Sequence, residues 1–402
     1  MLKTSFEPGA PMVEGGIPLC VPEIRGKEWE YVKQCLDTNF VSSVGPFVDR
    51  FERELATYTG AKFGVATSTG TAALHIALLV AGIQPDDEVL VSALTFVAPA
   101  NAIRYVGAWP VFIDADPDYW QMDPQKAVDF LEKECRWQDG YLWNKATGRR
   151  IKAILPVHLL GHPVDMDPIL AVARKYKLVV IEDATESLGA KYKNRVVGTL
   201  GDISCFSFNG NKLITTGGGG MIVTNNKQWA QKAKYLTTQA KDDPVEYVHN
   251  EIGYNYRLTN IQAAMGVAQL EMISEYIDAK LNISKRYEAN LGKVRGIVTP
   301  KAAKWATPVF WLYTVLIDKA RFGMDSRMLI QELREQNIQS RPFWHPIYSL
   351  PPFRDCFSYH VDVADRLYRQ GLSLPSSVGL SPDVQQKVCN AILSYALPQG
   401  RI

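Results

Sequence analysis

Residues 63–82 read FGVATSTGTAALHIALLVAG, which is a short apolar run, a polar turn and a longer apolar run. The first run has the length of a buried β-strand, and the second has the length of a helix that stops at Gly82. Further strand-like runs recur along the chain with helical segments between them: EVLVSAL, PVFIDAD, AILPVHLL and LVVIED. This alternation is typical of an α/β protein with a mostly parallel sheet that helices cover on both faces.

The composition excludes several classes of protein. The 402 residues are 47% hydrophobic and 21% charged, with a net charge of +2, so we expect no nucleic acid and no acidic membrane as a partner. No apolar run reaches transmembrane length, and the first residues lack an apolar signal core, which predicts a cytoplasmic protein. The six cysteines and six histidines are scattered, so we predict neither disulfides nor a metal site.

The pattern of the chain changes after residue 270. Long helical stretches there, such as ISEYIDAKLNISKRYEANL, flank strand-like segments such as FWLYTVLI. We therefore predict a large α/β domain over residues 17–270 and a smaller α+β domain over residues 271–402. The N-terminal segment is a candidate part of the smaller domain.

A lone lysine, Lys212, precedes four glycines in SFNGNKLITTGGGG at 207–220. This order does not fit a phosphate-binding P-loop, in which the glycines come before the lysine. A lysine amine can instead hold an aldehyde cofactor as a Schiff base. Gly217 to Gly220 would then let the following strand pass close to that cofactor.

Other candidate residues follow the ends of predicted strands, where ligands of parallel sheets collect. Gly70 and Thr71 begin a helix whose N–H groups can bind an anion, and Ser207 offers a hydroxyl to a phosphate. Asp183 can pair with a pyridinium nitrogen, and Glu186 can reach a phenolic oxygen of the cofactor or the substrate.

Each of these residues also has an ordinary structural interpretation. The helix start can be a plain cap, and Asp183 can be a strand-end acid that caps the next helix. Phe96 can stack on a planar ring or simply belong to the core. His158 and His162 are interpreted as structural histidines. The order along the chain is the stronger signal, because a phosphate cradle, an aromatic, an acid and a lysine in succession are what pyridoxal-phosphate enzymes of fold type I show.

Longer segments carry a specific resemblance. They include TSTGTAALHIALL, PVHLLGHPVDMDPI, VIEDATESLGAKY, GDISCFSFNGNKLITTGGGGMIVT and EIGYNYRLTNIQAAMGVAQLE. With these segments the chain resembles the sugar-nucleotide aminotransferases of the DegT/StrS type over roughly residues 17–395. The resemblance implies the aspartate-aminotransferase-like fold type I and pyridoxal 5′-phosphate (PLP) as the cofactor. It also implies amino transfer from L-glutamate to a nucleotide-linked 4-keto-6-deoxy sugar.

Within this family the chain looks most like the aminotransferases of legionaminic (nonulosonic) acid pathways, with the perosamine synthases as near neighbours. The resemblance therefore implies a role in the biosynthesis of a surface glycan, such as the O-antigen of lipopolysaccharide. It leaves open whether the sugar carries GDP or UDP, and whether it has a 2-acetamido group.

The resemblance implies a role for each matching position. Lys212 matches the Schiff-base lysine, Asp183 the partner of the pyridine nitrogen, and Glu186 the residue near the phenolic oxygen. The remaining cofactor contacts are the ring-stacking Phe96 and the phosphate binders Gly70, Thr71, Ser207 and Asn255. Because the family's asparagine reaches the phosphate from the neighbouring subunit, the active site would lie at the interface of a homodimer.

Three further residues are candidates for substrate contact. In RPFWHPIYSLPP at 341–352, family members commonly have His where this chain has Tyr348, and His345 is a nearby substitute. Arg257 in GYNYRLTN is interpreted as structural, with contact to a substrate anion as the alternative.

Other functions fit the sequence less well. Dehydratases on the same scaffold replace the lysine with His, and Lys212 argues against that reaction. A non-catalytic PLP-binding regulator would carry a DNA-binding region, but the sequence shows no basic helix-turn-helix segment. A nucleotide-dependent dehydrogenase is disfavoured because no GxGxxG follows the first strand.

Overall fold

The computed structural model describes residues 15–397. The N-terminal stretch 1–14, where the sequence shows no signal core, and residues 398–402 lie outside the described residues. The strands are β1 Phe63–Thr67, β2 Glu88–Ser92, β3 Trp109–Ile113, β4 Cys135–Gln138, β5 Tyr141–Asn144, β6 Arg150–Leu155, β7 Val179–Asp183, β8 Lys191–Tyr192, β9 Arg195–Val196, β10 Ile203–Ser207, β11 Gly220–Thr224, β12 Ile297–Val298, β13 Ala306–Thr307, β14 Thr314–Ile317, β15 Arg341–Pro342, β16 Ser358–Tyr359 and β17 Gly371–Ser373.

The helices lie between these strands and at the two ends of the described chain. They are α1 Glu28–Asp37, α2 Pro46–Thr59, α3 Gly70–Val80, α4 Ala98–Tyr105, α5 Pro124–Asp129, α6 Met166–Tyr176, α7 Lys227–Thr237, α8 Asn260–Glu271, α9 Ile273–Leu291, α10 Lys319–Phe322, α11 Ser326–Glu335, α12 Asp362–Gln370 and α13 Pro382–Leu393. Within residues 15–397, no helix combines the length and the apolar composition needed to cross a membrane.

The large sheet has the strand order β1-β11-β10-β7-β6-β2-β3-β16, with the hairpin β4-β5 added antiparallel to β6. From β10 to β16 every neighbouring pair is parallel, and β11 alone runs against β1 and β10. Alternate residues of β2 belong to different buried clusters, since Val89 and Val91 pack in one and Leu90 in the other. Both faces are therefore covered, and the predicted α/β fold with a mostly parallel sheet is confirmed.

A smaller antiparallel sheet has the order β12-β14-β17-β15. A third buried cluster, drawn from residues 283–392, packs beside it. Ile17 pairs with Ile338 next to this sheet, while β16 joins the large sheet. The N-terminal segment thus lies beside the smaller sheet, and β16 from the C-terminal part joins the larger one. The domain boundary at residue 270 stays a prediction.

The topology brings the candidate residues to one edge of the large sheet. Asp183 ends β7, Ser207 ends β10, and Gly70 and Phe96 follow β1 and β2. Lys212 lies in the loop that connects β10 to the antiparallel β11. Because parallel strands end at the same edge, residues far apart in sequence meet there.

Candidate active site

A cavity of about 830 Å³ opens at this edge. Its walls include eight of the residues that the sequence predicts: Gly70, Thr71, Phe96, Asp183, Glu186, Ser207, Lys212 and His345. The opposite wall comes from the C-terminal part of the chain and includes Trp311, Arg341 and Trp344. The volume is within the range of small-molecule sites.

Lys212 lies between an acid and an aromatic ring. Its Nζ is 3.5 Å from Glu186 Oε1 and 3.8 Å from the centroid of the Trp311 ring. The lysine side chain is 14% exposed, and its backbone N–H donates to Asn209 O at 3.0 Å. The amine is therefore held in place yet reachable from the cavity.

Glu186 is oriented by a backbone group. Its Oε2 accepts a hydrogen bond from the N–H of Leu160 at 2.7 Å, which leaves Oε1 toward Lys212. Burial raises the pKa of Glu186 above its ordinary value, and the charge of Lys212 acts in the opposite direction. A cation close to Glu186 thus stabilises its ionised form.

Asp183 ends β7 and is buried. Its Oδ1 accepts the N–H of Thr185 at 3.1 Å. Burial raises the pKa of this carboxyl, while the hydrogen bonds from Thr185 and the charge of Lys212 lower it. An ionised Asp183 gains from a positive charge in the cavity, such as a protonated ring nitrogen.

His158 and His162 are both held by hydrogen bonds within the fold. Val164 N–H donates to His158 Nδ1 at 3.1 Å, so the proton of this ring lies on Nε2, which donates to Glu182 at 3.0 Å. Similarly, His162 Nε2 accepts the N–H of Ala303 at 3.1 Å. Burial lowers the pKa of His162 to about 4. Both imidazoles are hydrogen-bonded inside the fold and do not line the cavity.

The anion cradle consists of Gly70, Thr71 and Ser207 on the cavity wall. Two glycines allow neighbouring segments of the backbone to pack closely there. A Cβ on Gly70 would lie 2.7 Å from the Cβ of Ser207, and one on Gly220 would lie 2.4 Å from the backbone oxygen of Thr69. Helix α3 therefore begins directly against the ends of β10 and β11. The Thr69 hydroxyl accepts the N–H of Ala72 at 3.0 Å, whereas the N–H groups of Gly70 and Thr71 have no acceptor within the helix. The Ser207 hydroxyl lies beside them.

Three predicted residues are not part of the cavity wall. Asn255 is exposed, and Arg257 is half-buried, with its Nε buried and without a hydrogen-bond partner among residues 15–397. The hydroxyl of Tyr348 donates to Asp365. His345, which does line the cavity, packs on the ring of Tyr368 at 4.7 Å. The substrate roles of these residues stay predictions.

The aromatic and basic residues of the opposite wall were not predicted from the sequence. Trp311 lies in the strand-like segment FWLYTVLI, and Arg341 and Trp344 lie in RPFWHPIYSLPP. The only available signal was two tryptophans and an arginine in segments that are otherwise strand-like or proline-rich.

Comparisons with known proteins agree with this geometry. The sequence profile of the DegT/DnrJ/EryC1/StrS aminotransferase family matches residues 22–393. The chain belongs to this family. It is a PLP-dependent aminotransferase.

The relatives of this aminotransferase are matched over nearly their whole length. The GDP-perosamine synthase of Caulobacter vibrioides is 41% identical over 366 residues, which are 91% of this chain and 94% of the relative. The GDP-perosamine synthase of Escherichia coli O157:H7 is 39% identical over 94% of this chain and 98% of its own. A DegT/DnrJ/EryC1/StrS aminotransferase from Brucella abortus has a similar crystal structure, with a TM-score of 0.84, 27% identity and coverage of 93% and 96% of the two chains.

The cavity fits the cofactor of the aminotransferase. An anion cradle at Gly70, a buried acid at Asp183 and an amine at Lys212 provide a partner for a phosphate, a ring nitrogen and an aldehyde, respectively. The close approach at Gly70 leaves no room for a side chain where the phosphate would bind. The donor set on the cavity wall thus matches the groups of PLP.

Proposed function

We propose that this aminotransferase moves the amino group of L-glutamate to the 4-keto group of a nucleotide-linked 4-keto-6-deoxy sugar. The observation that carries the proposal is the convergence of Lys212, Asp183 and Glu186 on a cavity of about 830 Å³. This space can hold a sugar beside the cofactor. The two relatives named GDP-perosamine synthases support a sugar-nucleotide substrate.

The cofactor contacts come from the large sheet. Gly70, Thr71 and Ser207 would hold the phosphate, Phe96 would stack on the ring, and Asp183 would pair with the ring nitrogen. Once bound, PLP supplies an aldehyde carbon that bonds to amines and a ring that takes up an electron pair.

Lys212 is the proton-transfer group. Its Nζ would hold the cofactor and, once free, would move the proton of the donor's α-carbon to the cofactor. In the second half of the reaction the same atom would move a proton from the cofactor to C4 of the sugar. Glu186, 3.5 Å away, keeps Nζ directed into the cavity in both steps.

Two sugar nucleotides are candidates. One is GDP-linked and lacks a 2-acetamido group, as in perosamine synthesis. The other carries that group, on either GDP or UDP, as in the pathways to legionaminic acid. In both, Arg341 on the opposite wall provides a cation for the diphosphate. The product would serve surface-glycan biosynthesis, such as that of the O-antigen.

The active site is completed by a second subunit in a homodimer. Asn255 is exposed and does not line the cavity of its own chain, as a residue that serves the neighbouring cavity requires. A complementation experiment tests this. Lys212→Ala and Asn255→Ala chains are each inactive or weak, but a mixed dimer has one intact site and regains activity. If the mixture gains nothing over the separate variants, Asn255 does not act across an interface.

The function itself is tested by spectroscopy followed by product analysis. Wild type incubated with PLP develops the absorption of a lysine-bound cofactor and loses it on adding glutamate, whereas Lys212→Ala does not develop it. The exposed Lys33→Ala serves as the control and behaves like wild type. The enzyme is then given ¹⁵N-glutamate with each sugar nucleotide, and mass spectrometry shows which sugar gains ¹⁵N. Absence of ¹⁵N in every sugar would reject the substrate class.

A further inference from the structure

We infer that Trp311 is a positioning residue for the proton-transfer lysine, holding the protonated Lys212 amine against its ring face between the two proton transfers. This inference rests on the proposed function of Lys212. The observation behind it is the distance of 3.8 Å from Lys212 Nζ to the centroid of the Trp311 ring. Among aromatic side chains, the indole face attracts a cation most strongly.

The ring cannot easily turn away from the lysine. Its Nε1 donates to Asn211 O at 2.6 Å, the peptide oxygen directly before Lys212. Trp311 O accepts Lys280 Nζ at 2.8 Å, and the tryptophan is 2% exposed. The indole is thus tied to the loop that carries Lys212, and the backbone of Trp311 is tied to Lys280 of helix α9.

One residue connects both neighbours of the amine. The N–H of Leu160 donates to Glu186 at 2.7 Å, and its carbonyl accepts the N–H of Trp311 at 2.9 Å. Leu160 adopts a left-handed conformation, with φ at 55°, which is uncommon for a non-glycine residue. The acid and the aromatic face are therefore set relative to each other by a single residue, Leu160, and Lys212 Nζ lies between them.

Lys212 must exist as a neutral amine to accept a proton and as an ammonium before it returns that proton. Glu186 and the Trp311 face both favour the ammonium form, and Asp183 adds a further negative charge nearby. Removal of the indole should release the ammonium from the ring face, so that the amine is freer to react with a small reagent but worse placed to carry the proton.

The test uses cofactor-free protein and chemical labelling of Lys212 by trinitrobenzenesulfonate, followed by peptide mass spectrometry. At neutral pH, Trp311→Leu should label roughly 2- to 30-fold faster than wild type, and Trp311→Phe should fall between them. At the highest pH at which the protein stays folded, the rates should converge, because the ring face attracts an ammonium and not a neutral amine. In turnover, Trp311→Leu should show a lower kcat with little change in the KM for glutamate.

Trp109 provides a matched control. It also carries a guanidinium on its ring, that of Arg104 at 3.9 Å, and its Nε1 donates to Asp86 at 3.0 Å, but it begins β3 at the opposite edge of the sheet. Trp109→Leu should leave the labelling of Lys212 unchanged. The inference is overturned if Lys212 is labelled at the wild-type rate in Trp311→Leu. It is also overturned if the faster labelling of this variant persists at high pH, because the reagent would then simply reach Lys212 more easily. If wild type itself forms no PLP bond at Lys212, the proposed function fails instead.

Discussion

Glu182 and Asp183 are consecutive residues of β7, but their carboxylates have opposite surroundings. Glu182 is fully buried and accepts four hydrogen bonds, from His158 Nε2 and the N–H groups of Gly198, Leu200 and Gly201. Asp183 points to the cavity side of the strand end and accepts a backbone N–H from Thr185. Burial alone would raise both pKa values, but the four donors lower the pKa of Glu182 while that of Asp183 stays raised. One acid supports the fold and the other is available for a ligand.

Glu182→Gln should destabilise the protein by about 3–5 kcal/mol, because an amide cannot accept all four donors. The folded-state pKa of Glu182 is below its ordinary value of 4.5, so its contribution is present above pH 4.5 and is lost as the pH falls. Denaturant unfolding of the cofactor-free protein at pH 7 and pH 4 should therefore show a smaller difference between variant and wild type at pH 4. Glu132→Gln, which removes an exposed ion pair with Lys175, should cost less than about 1 kcal/mol. Equal losses in the two variants would contradict the buried network.

Asp183→Asn should separate stability from cofactor binding. The raised pKa of Asp183 means that its contribution to stability is largest below its ordinary value of 3.8 and declines as the pH rises. At pH 7 the cofactor-free variant should be as stable as wild type or more so, since a buried charge is gone. Added PLP should raise its Tm less than that of wild type, because the charge partner of the ring nitrogen is missing. A variant that loses stability without the cofactor and keeps the full PLP effect would refute this role.

Gly70→Ala should weaken PLP binding. The new Cβ would lie 2.7 Å from Ser207 Cβ, so helix α3 must move away from the strand ends, at a cost of about 1–3 kcal/mol. We expect PLP affinity, measured by fluorescence titration, to fall by about 5- to 150-fold, because the movement of the helix costs this energy when PLP binds. Gly210→Ala is the control in the neighbouring loop, because a Cβ there meets no atom within 4 Å. Similar affinities for the two variants would argue against the cradle.

Glu186→Gln should reduce kcat by about 10- to 100-fold while the enzyme still binds PLP. The amide oxygen can keep the hydrogen bond from Leu160, so the loop stays in place and only the charge beside Lys212 is lost. Steady-state kinetics with glutamate, alongside the absorption of the bound cofactor, measure the two effects separately. A kcat within twofold of wild type would show that the charge is dispensable.

Arg341→Gln should raise the KM for the anionic substrate by about tenfold and change kcat little, since a charge-assisted hydrogen bond is lost in substrate and transition state alike. Arg354→Gln serves as the control, because Arg354 is exposed and absent from the cavity wall. The comparison should be made for glutamate and for the sugar nucleotide, and the substrate whose KM rises is the one that Arg341 contacts. No rise for either would exclude Arg341 from substrate binding.

The amino-acid sequence by itself determined the sheet and one side of the site. Apolar runs with intervening helices specify a parallel sheet, and the carboxyl ends of its strands share an edge, so Asp183, Ser207 and Gly70 had to meet. The role of Lys212 could be predicted because a lone lysine shortly before four glycines fits a Schiff-base site better than a P-loop. These features depend on local patterns and on a topological rule.

The tertiary structure alone decided the opposite wall. Trp311 reaches Lys212 because the C-terminal part of the chain folds back over the strand ends, and no periodicity in the sequence reports that contact. Similarly, Tyr348 is directed to Asp365 and Asn255 to the surface by the packing of loops. Such placements are the sum of many weak contacts between distant segments, so only the folded chain reveals them.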